Sequence, residues 1–369
     1  MLDMAKRVED IYKTLHGMPE IGFSEYRTSE FMANALQKAG YEVKTGVGRT
    51  GVVGVIQGGK PGPTVALRTD MDALSHNVKG KEMCIHSCGH DSHCAMVLTA
   101  AEVLATQGVK VGTLKILCQP AEEILKGALA MIEAGAADGI DILFGIHLRP
   151  IQEARTGQAT PALYHGASYI MEAAVTGLAA HGARPHLGIN AADAAVAVVQ
   201  AVNAIRLNPV IPWSVKTTRL HAGSSILNVI PDRAELAFDL RAQNNQSVEE
   251  LIERVKQAVA RGAATVGAKA EVTIKGGVPG AEYDPFLVDI ARQAITSVLG
   301  PEGLLDPIVT PGGEDYHYFT KNVPGLRAAY IGLGCDAEPG LHHPDMHFNL
   351  AALSKGVAIL LKAVDLSLA

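Results

Sequence analysis

The sequence predicts a larger α/β domain, built on a central and mostly parallel sheet, into which a smaller α+β domain is inserted. Three observations support this prediction. At 369 residues the chain is longer than one hydrophobic core usually serves. Apolar strands alternate with helices in the first half, which is typical of a parallel sheet. The middle of the chain instead contains one strand, helix, strand, strand, helix, strand series.

The elements of the first half follow from apolar runs bounded by turn residues. A helix is predicted at 24–39, with Ser24 as N-cap and Gly40 as the stop. A second helix, 92–106, ends before Gly108. Runs rich in β-branched residues predict four strands, at 52–57, 64–68, 113–117 and 142–146.

The inserted series begins near residue 170 and has the size of a small ferredoxin-like domain. Its predicted elements are strand 170–176, helix 191–205, strands 214–222 and 234–241, helix 248–266 and strand 270–275. Helix 286–299, strand 326–331 and helix 350–364 then resume the earlier alternation. We therefore predict one discontinuous domain of residues 1–167 and 279–369 around an inserted domain of residues 168–278. Flexible joints are expected near Gly166 and in the segment 276–280.

Composition and charge restrict the kind of protein. Hydrophobic residues make up 48% and charged residues 19%, which predicts a globular chain. A net charge of −6 provides no positive field for nucleic acid. We find neither a signal peptide nor an apolar run of membrane-spanning length, so a cytoplasmic protein is expected. Three of the five cysteines lie among histidines at positions 84–94, which favours a metal site over disulfides.

Side chains that bind metal ions cluster where predicted strands end. The segments are RTDMD from Arg68, HSCGHD from His86, QPAEE from Gln119, FGIH from Phe144 and LHHPD from Leu341. Ligand sites in open α/β sheets lie at the carboxyl ends of strands, so these segments are expected to converge. Mixed imidazole, carboxylate and thiolate donors favour zinc or manganese, with cobalt and nickel as alternatives. Two such ions about 3.5–4 Å apart would lower the pKa of a bound water to near 7.

Each segment taken alone has an ordinary explanation. His147 would be a hydrogen-bonded core histidine, and the adjacent Glu122 and Glu123 a solvated helix face. Cys88 would be a small buried thiol. Five such segments at strand ends are improbable as independent accidents, and their coincidence favours a metal centre.

Eight motifs, in this order along nearly the whole chain, resemble those of the M20 metallopeptidases. They are HGMPEIGF from His16, RTDMDAL from Arg68, HSCGHD from His86, QPAEE from Gln119, GLAAHGARPH from Gly177, NVIP from Asn228, GGEDY from Gly312 and LHHP from Leu341. The subgroup resembled is that of hippurate hydrolase, auxin-conjugate hydrolase and N-acyl-amino-acid amidohydrolases. This resemblance implies hydrolysis of the amide bond of an N-acyl amino acid or a similar small conjugate.

The resemblance also implies the composition of the metal centre. It assigns two divalent ions to five ligands: Cys88, His90, Glu123, His147 and His342. Glu122 becomes the general base that takes a proton from the attacking water and delivers it to the departing amine. Asp72 becomes a residue that orients a partner in the site. His343 is an alternative to His342, and His86, His93 and His347 are further alternative ligands.

The resemblance also implies a catalytic histidine and two substrate-binding residues in the inserted domain, and a substrate-binding glycine pair after it. The resemblance has His181 reach across a homodimer, formed through this domain, to stabilise the oxyanion in the neighbouring site. Asn228 and Arg241 would hold the substrate carboxylate, to which a guanidinium is chemically suited. Gly312 and Gly313 would let the backbone approach the substrate closely.

Three other hypotheses remain open from the sequence. A dipeptidase or aminopeptidase would use the same metal centre but would need a group that binds a free α-amine. A non-catalytic binding protein would have kept the fold after losing its chemistry. A metal-independent hydrolase would use Cys88 as nucleophile beside His90.

Overall fold

The computed structural model describes residues 3–368, which separate into two units. Unit 1 comprises residues 3–164, Glu282–Thr310 and 315–368. Unit 2 comprises His165–Ala281 together with Pro311–Glu314. The second unit is therefore formed mainly by one continuous stretch of chain, to which a four-residue segment from later in the sequence is added.

Helices and strands alternate along most of the described chain. The helices are α1 (Met4–His16), α2 (Tyr26–Lys38), α3 (His90–Gln107), α4 (Gly127–Glu133), α5 (Ala191–Asn203), α6 (Asn245–Ala264), α7 (Pro285–Leu299), α8 (His317–Asn322) and α9 (Ala351–Leu368). The first nine strands are β1 (Glu42–Val47), β2 (Gly51–Gln57), β3 (Thr64–Asp70), β4 (Leu74–Val78), β5 (Lys81–Ile85), β6 (Thr113–Gln119), β7 (Ile142–Pro150), β8 (Ala159–Thr160) and β9 (Leu163–His165). The others are β10 (Ala167–Thr176), β11 (Ala180–His181), β12 (Trp213–Ala222), β13 (Val229–Ile230), β14 (Arg233–Ala242), β15 (Lys269–Val278), β16 (Ile308–Thr310) and β17 (Arg327–Ala337).

Unit 1 is built on a seven-stranded sheet in the order β1-β2-β6-β3-β7-β17-β8. The central strands β6, β3, β7 and β17 are parallel, whereas β1, β2 and β8 pair antiparallel. The prediction of a central mixed sheet is therefore confirmed, with three parallel and three antiparallel strand pairings. Because the four central strands run in one direction, their carboxyl ends lie along the same edge of the sheet.

Helices cover both faces of this sheet. Alternate residues of a strand point to opposite faces, and in β3 the side chains of Val65 and Leu67 enter one core while Ala66 enters another. The larger core includes residues of α1, α2, α3, α7 and α9. The smaller core includes residues of α4 and α8. Helix α3 lies deep in unit 1, since its residues from His90 to Ala101 are all buried.

Unit 2 contains a four-stranded antiparallel sheet in the order β12-β14-β10-β15. Helices α5 and α6 pack together and contribute Val198 and Leu251 to a core shared with Leu236 and Phe238 of β14. The chain order of this unit is β10, α5, β12, β14, α6, β15. The two central strands of the sheet are therefore β10 and β14, the first and third strands of the series.

Predicted elements differ from the structure mainly at their ends. Strands β3, β6 and β7 extend to Asp70, Gln119 and Pro150, beyond their predicted ends. Backbone pairing continues there past the point where the apolar pattern stops, so His147 lies inside a strand rather than after one. The prediction of Ser24 as the N-cap of α2 is wrong. Helix α2 begins at Tyr26, and the backbone N–H groups of Arg27 and Thr28 donate to the carboxylate of Glu20.

Candidate metal centre

All five proposed ligands lie at the carboxyl edge of the central strands of unit 1. Their segments meet there for local reasons: Cys88 precedes α3 and His90 is its first residue, Glu123 follows β6, His147 lies in β7 and His342 follows β17. Gly89 between the first two has a φ of +89°, a backbone conformation that glycine adopts without strain. The sharp turn at Gly89 brings the thiol and the imidazole to the same place.

The ligand atoms form two groups that share one cysteine. In each group the atoms lie within 4.8 Å of one another. One group is Cys88, His90 and His147, and the other is Cys88, Glu123 and His342. The Cys88 Sγ lies 3.6 Å from Nε2 of His147, and Nε2 of His342 lies 3.4 Å from Oε2 of Glu123. A single thiolate is therefore placed to contact two ions.

Two buried atoms of the cluster have no hydrogen-bond partner among the residues described. They are Nε2 of His90 and Oε1 of Glu123, which lie 3.7 Å apart. Buried polar atoms are almost always paired, and leaving one unpaired is costly. Cations held by the two ligand groups would satisfy both atoms. The donor set of imidazole, thiolate and carboxylate also suits zinc and its neighbours, so the residues fit a metal centre.

Backbone oxygens orient both buried histidines. Nδ1 of His90 lies 3.0 Å from the carbonyl oxygen of Asp72, and Nδ1 of His147 lies 2.7 Å from that of Leu148. Because a carbonyl only accepts, both Nδ1 atoms carry the hydrogen, and both Nε2 atoms keep their lone pairs for a ligand role. Such partners commonly fix metal-binding histidines.

Asp72 contacts two of the proposed ligands. Its Oδ1 lies 3.2 Å from Nδ1 of His90, and its Oδ2 accepts a hydrogen bond of 2.9 Å from the backbone N–H of Glu123. Asp72 is 1% exposed. The carboxylate therefore links the start of α3 to the segment after β6, as expected of an orienting residue.

Glu122 is buried at the same cluster. Its Oε2 lies 3.9 Å from Nε2 of His90, and its Oε1 accepts a hydrogen bond of 3.5 Å from the backbone N–H of Asp315. Its neighbour Glu123 also approaches His90 with Oε1, at 3.7 Å, but its Oε2 lies 3.4 Å from Nε2 of His342. Two adjacent carboxylates thus have different surroundings, which permits different roles.

Burial opposes ionisation of the acidic ligands. It raises the pKa of the Cys88 thiol well above its usual value, and the nearby Glu123 carboxylate raises it further. Burial also raises the pKa of Glu123 to about 7. Nearby positive charge, which divalent cations supply, would therefore favour the anionic form of both groups. A thiol with a raised pKa is poorly suited to act as the nucleophile of a metal-independent hydrolase.

The alternative histidines have other surroundings. His93 uses both ring nitrogens, because Nδ1 lies 2.8 Å from Asp70 Oδ1 and Nε2 accepts from the Leu148 N–H at 3.0 Å. Asp70, His90 and His93 nevertheless form a third compact group. The ring nitrogens of His86 are buried without a hydrogen-bond partner in the described chain, but His86 joins none of these groups. His343 and His347 contact the backbone of Asp345 and also belong to none of the groups found among the described residues.

A buried polar network beneath the cluster was missed by the sequence analysis. Arg68 is 1% exposed and its guanidinium contacts Asp70 at 2.5 Å, Gln119 at 2.9 Å and Asp315 at 3.1 Å. Asp70 in turn accepts from His93, so the network reaches α3. A usable signal existed, because Arg68, Asp70 and Gln119 belong to the motifs quoted for the resemblance.

The predicted catalytic residue His181 and the predicted substrate-binding residue Asn228 lie close together in unit 2. His181 is exposed on β11 and pairs with Val229 of β13, next to Asn228. The N–H of Gly182 donates to the backbone oxygen of Asn228 at 2.7 Å. The side chain of His181 accepts a hydrogen bond from the N–H of Ala183 at 3.0 Å.

The other three lie elsewhere in unit 2. Arg241, near the end of β14, forms an exposed ion pair with Asp239 at 3.0 Å. Gly312 and Gly313 belong to the segment Pro311–Glu314. A Cβ added at Gly313 would lie 2.8 Å from Cγ2 of Val278, so close packing against β15 is sufficient reason for glycine at this position.

The fold and the ligand cluster define the class of the protein, a metal-binding hydrolase of amide bonds. Residues 66–366 match the model of peptidase family M20/M25/M40. Since this match covers more than half of the chain, the protein belongs to that family. The resemblance noted in the sequence is thereby confirmed.

In the described part of the chain, no helix is both long and apolar enough to cross a membrane.

Known proteins are similar over nearly the whole chain. Thermostable carboxypeptidase 2 of Saccharolobus solfataricus is 33% identical, and the match covers 87% of this chain and 86% of that protein. An IAA-amino acid hydrolase of Arabidopsis thaliana is 30% identical over 97% of this chain and 86% of its own length. A crystal structure from Bacillus subtilis, described as a dinuclear metal-binding peptidase of the M20 family, has a TM-score of 0.82 and 26% identity. The match covers 99% of this chain and 98% of the Bacillus subtilis chain.

Proposed function

We propose that this protein hydrolyses the amide bond of N-acyl amino acids or similar small conjugates, with two divalent metal ions in unit 1 and Glu122 as general base. One observation carries the proposal: two ligand groups share Cys88, and Glu122 is buried beside them. The description of the Bacillus subtilis relative as dinuclear supports two ions rather than one.

In this proposal each ion has its own group of ligands, and Cys88 belongs to both groups. Cys88, His90 and His147 hold one ion, and Cys88, Glu123 and His342 hold the other. Zinc or manganese is our first expectation, with cobalt or nickel as alternatives. When bound, such ions polarise the substrate carbonyl and lower the pKa of water. His342 is preferred to His343 because its Nε2 already lies 3.4 Å from Glu123.

Glu122 moves the proton during hydrolysis. Its carboxylate takes a proton from the attacking water and delivers that proton to the nitrogen of the departing amine. The backbone N–H of Asp315 donates to Oε1 and helps to orient this carboxylate. Asp72 keeps His90 and the Glu123 backbone in place while Glu122 acts.

Unit 2 supplies the groups that recognise the substrate. Arg241 and Asn228 bind its α-carboxylate, and His181 stabilises the oxyanion in the neighbouring active site of a homodimer. The exposure of the Arg241 guanidinium and the closeness of His181 to Asn228 support this assignment. Gly312 and Gly313 let the backbone approach the substrate.

Residues 168–278 are proposed to act as an inserted lid and dimerisation domain of the ferredoxin-like type, between catalytic segments 1–167 and 279–369. The strand order β12-β14-β10-β15, with α5 and α6 in the same core, supports the fold type. Leu227 is 96% exposed and Ile226 is 60% exposed, which supports contact with a second copy. The five free cysteines support a reducing, cytoplasmic location.

A peptidase is the second candidate. The Saccharolobus relative is named a carboxypeptidase, which favours this candidate. The Arabidopsis relative is named a hydrolase of IAA-amino acids, which favours amino-acid conjugates. Both substrates have an amide carbonyl and a free α-carboxylate, so the metal centre alone does not distinguish them. A dipeptidase or aminopeptidase would in addition bind the free α-amine.

A substrate panel with metal analysis tests these functions. The purified protein is assayed on N-acetyl amino acids, hippurate, an indole-acetyl amino acid, dipeptides and N-blocked dipeptides. We expect two ions per chain, loss of turnover on chelation, recovery with Zn²⁺ or Mn²⁺, and fastest turnover of the N-acyl substrates. Glu122→Gln should keep both ions and lower kcat by about 10²–10⁴-fold.

Each rival predicts a different result. Preference for dipeptides would establish the peptidase. Turnover that survives chelation but not thiol alkylation would make Cys88 the nucleophile. Bound ions without turnover of any substrate in the panel would indicate a binding protein, and a fully active Glu122→Gln would reject the assigned base.

A further inference from the structure

Glu25 has a buried carboxylate that contacts segments distant from it in the sequence. It is the residue before α2, yet its side chain makes no capping hydrogen bond to that helix. Its Oε1 instead accepts from the backbone N–H groups of Phe23 at 2.9 Å and Ala121 at 2.8 Å. Its Oε2 accepts from the hydroxyl of Thr50 at 2.5 Å. Three donors thus converge on one carboxylate that is 0% exposed.

The contact with Ala121 falls directly beside the proposed general base. Ala121 precedes Glu122 and has a φ of +53°, in the left-handed region that residues other than glycine rarely adopt. Such a conformation persists only where surrounding contacts hold it. The hydrogen bond from its own N–H to Glu25 is such a contact, and it is buried and charge-assisted.

The segment that carries the two glutamates is held at two separate points. Glu25 holds the N–H of Ala121, on one side of Glu122, and Asp72 holds the N–H of Glu123, on the other. The first point is reinforced by packing, because a Cβ added at Gly22 would lie 3.1 Å from the Cα of Ala121. The backbone direction at Glu122 therefore depends on both carboxylates.

We propose that Glu25 is a positioning residue for hydrolysis, which fixes the backbone at Ala121 so that the carboxylate of Glu122 is directed at the reacting atoms. The inference rests on the proposed role of Glu122. Glu25 itself touches neither substrate nor ion. Its effect on kcat is exerted through Glu122, while the metal ligands stay in place because Asp72 holds Glu123 independently.

Replacing Glu25 tests the proposal with kcat, KM and metal content measured separately on the holoenzyme. We expect Glu25→Ala to lower kcat by about tenfold to a hundredfold, the scale of a small displacement of a catalytic group. KM and two ions per chain should be unchanged. Glu25→Gln should recover most of the activity, because its amide oxygen can accept from Ala121 while its NH₂ group faces Thr50.

Glu20→Ala is the matched control. Glu20 lies five residues earlier in the same segment, and its carboxylate also accepts several hydrogen bonds, from Arg27 and Thr28. None of these donors belongs to the segment of Glu122. The control should lower thermal stability and leave kcat near the wild-type value. It would thereby separate a general loss of stability in the segment before α2 from a specific effect on the position of Glu122.

Further variants keep the test decisive. If Glu25→Ala does not fold, Glu25→Asp keeps the charge but withdraws it from Ala121, and it should show the same loss of kcat. In a Glu122→Gln background, Glu25→Ala should cause no additional loss.

Three results would overturn the proposal: equal kcat for Glu25→Ala and Glu20→Ala, loss of an ion from Glu25→Ala, or additive effects with Glu122→Gln. Failure of the proposed function is recognised separately, because the wild type would then turn over no amide or Glu122→Gln would remain active.

Discussion

The proposed metal ligands at the carboxyl edge of the unit 1 sheet and the arginines on the strands of unit 2 differ in burial and in partners. In unit 1, His90 and Glu123 are largely buried, and each has an atom without a hydrogen-bond partner among the described residues. In unit 2, Arg219 pairs with Glu172 at 2.6 Å and Arg241 with Asp239 at 3.0 Å, both in exposed positions. Burial of unpaired polar atoms is costly, so the first pattern indicates a missing ligand.

The second pattern carries much less information. Exposed ion pairs contribute little to stability, about 0–1 kcal/mol, and occur on most protein surfaces. Arg219 and Arg241 therefore form similar exposed ion pairs, although the family resemblance implies substrate binding only for Arg241. The geometry of unit 1 supports the proposed metal centre by itself. Substrate recognition by unit 2 must instead be tested by comparing variants of similar residues.

Removing the shared ligand should have the largest effect. We expect Cys88→Ala to lose both ions and to lower kcat/KM by at least about 10³-fold, because each ligand group needs this thiolate. His147→Ala and His342→Ala should each lose one ion. Metal analysis after dialysis, together with turnover, measures these losses.

Cys335→Ala is the matched control for that variant. Cys335 is also a buried free cysteine, but it belongs to none of the ligand groups in the described chain. The control should keep two ions per chain. If Cys88→Ala kept both ions as well, the unpaired atoms of unit 1 would need a different explanation.

Arg241→Ala should have an intermediate effect, on KM. Loss of a guanidinium that holds the substrate carboxylate is expected to raise KM by about tenfold to a hundredfold, the range for a hydrogen bond between charged groups. Stability should hardly change, since the ion pair with Asp239 is exposed.

Arg219→Ala, which removes a similar exposed pair from the same sheet, should change neither KM nor kcat. Steady-state kinetics on an N-acyl amino acid and on its amide, which lacks the carboxylate, would compare the two variants. Equal KM values for both would leave Arg241 as an ordinary surface residue. A raised KM for the amide as well as for the acid would also contradict recognition of the carboxylate.

The sequence predicted the convergence of the ligands better than their surroundings. Apolar runs located β3, β6 and β7, and parallel strands necessarily bring their carboxyl ends together. The contact of Glu25 with Ala121 spans 96 residues and depends on how the segment before α2 packs. No pattern within one segment specifies the partner of a buried carboxylate, so Glu25 was not predicted.

The smallest expected effect is that of pH on the stability of the ion-free protein, through the buried carboxyl group of Glu123 in unit 1. Burial holds the pKa of Glu123 near 7 in the folded, ion-free chain, above its ordinary value of 4.5. The folded state therefore binds more protons between these values, and this stabilisation is lost as pH rises from about 4.5 to about 7. Melting temperatures of the ion-free protein should fall over that range more steeply in the wild type than in Glu123→Gln. Parallel curves would show that Glu123 ionises normally without ions, and bound Zn²⁺ should reverse the trend by favouring the carboxylate.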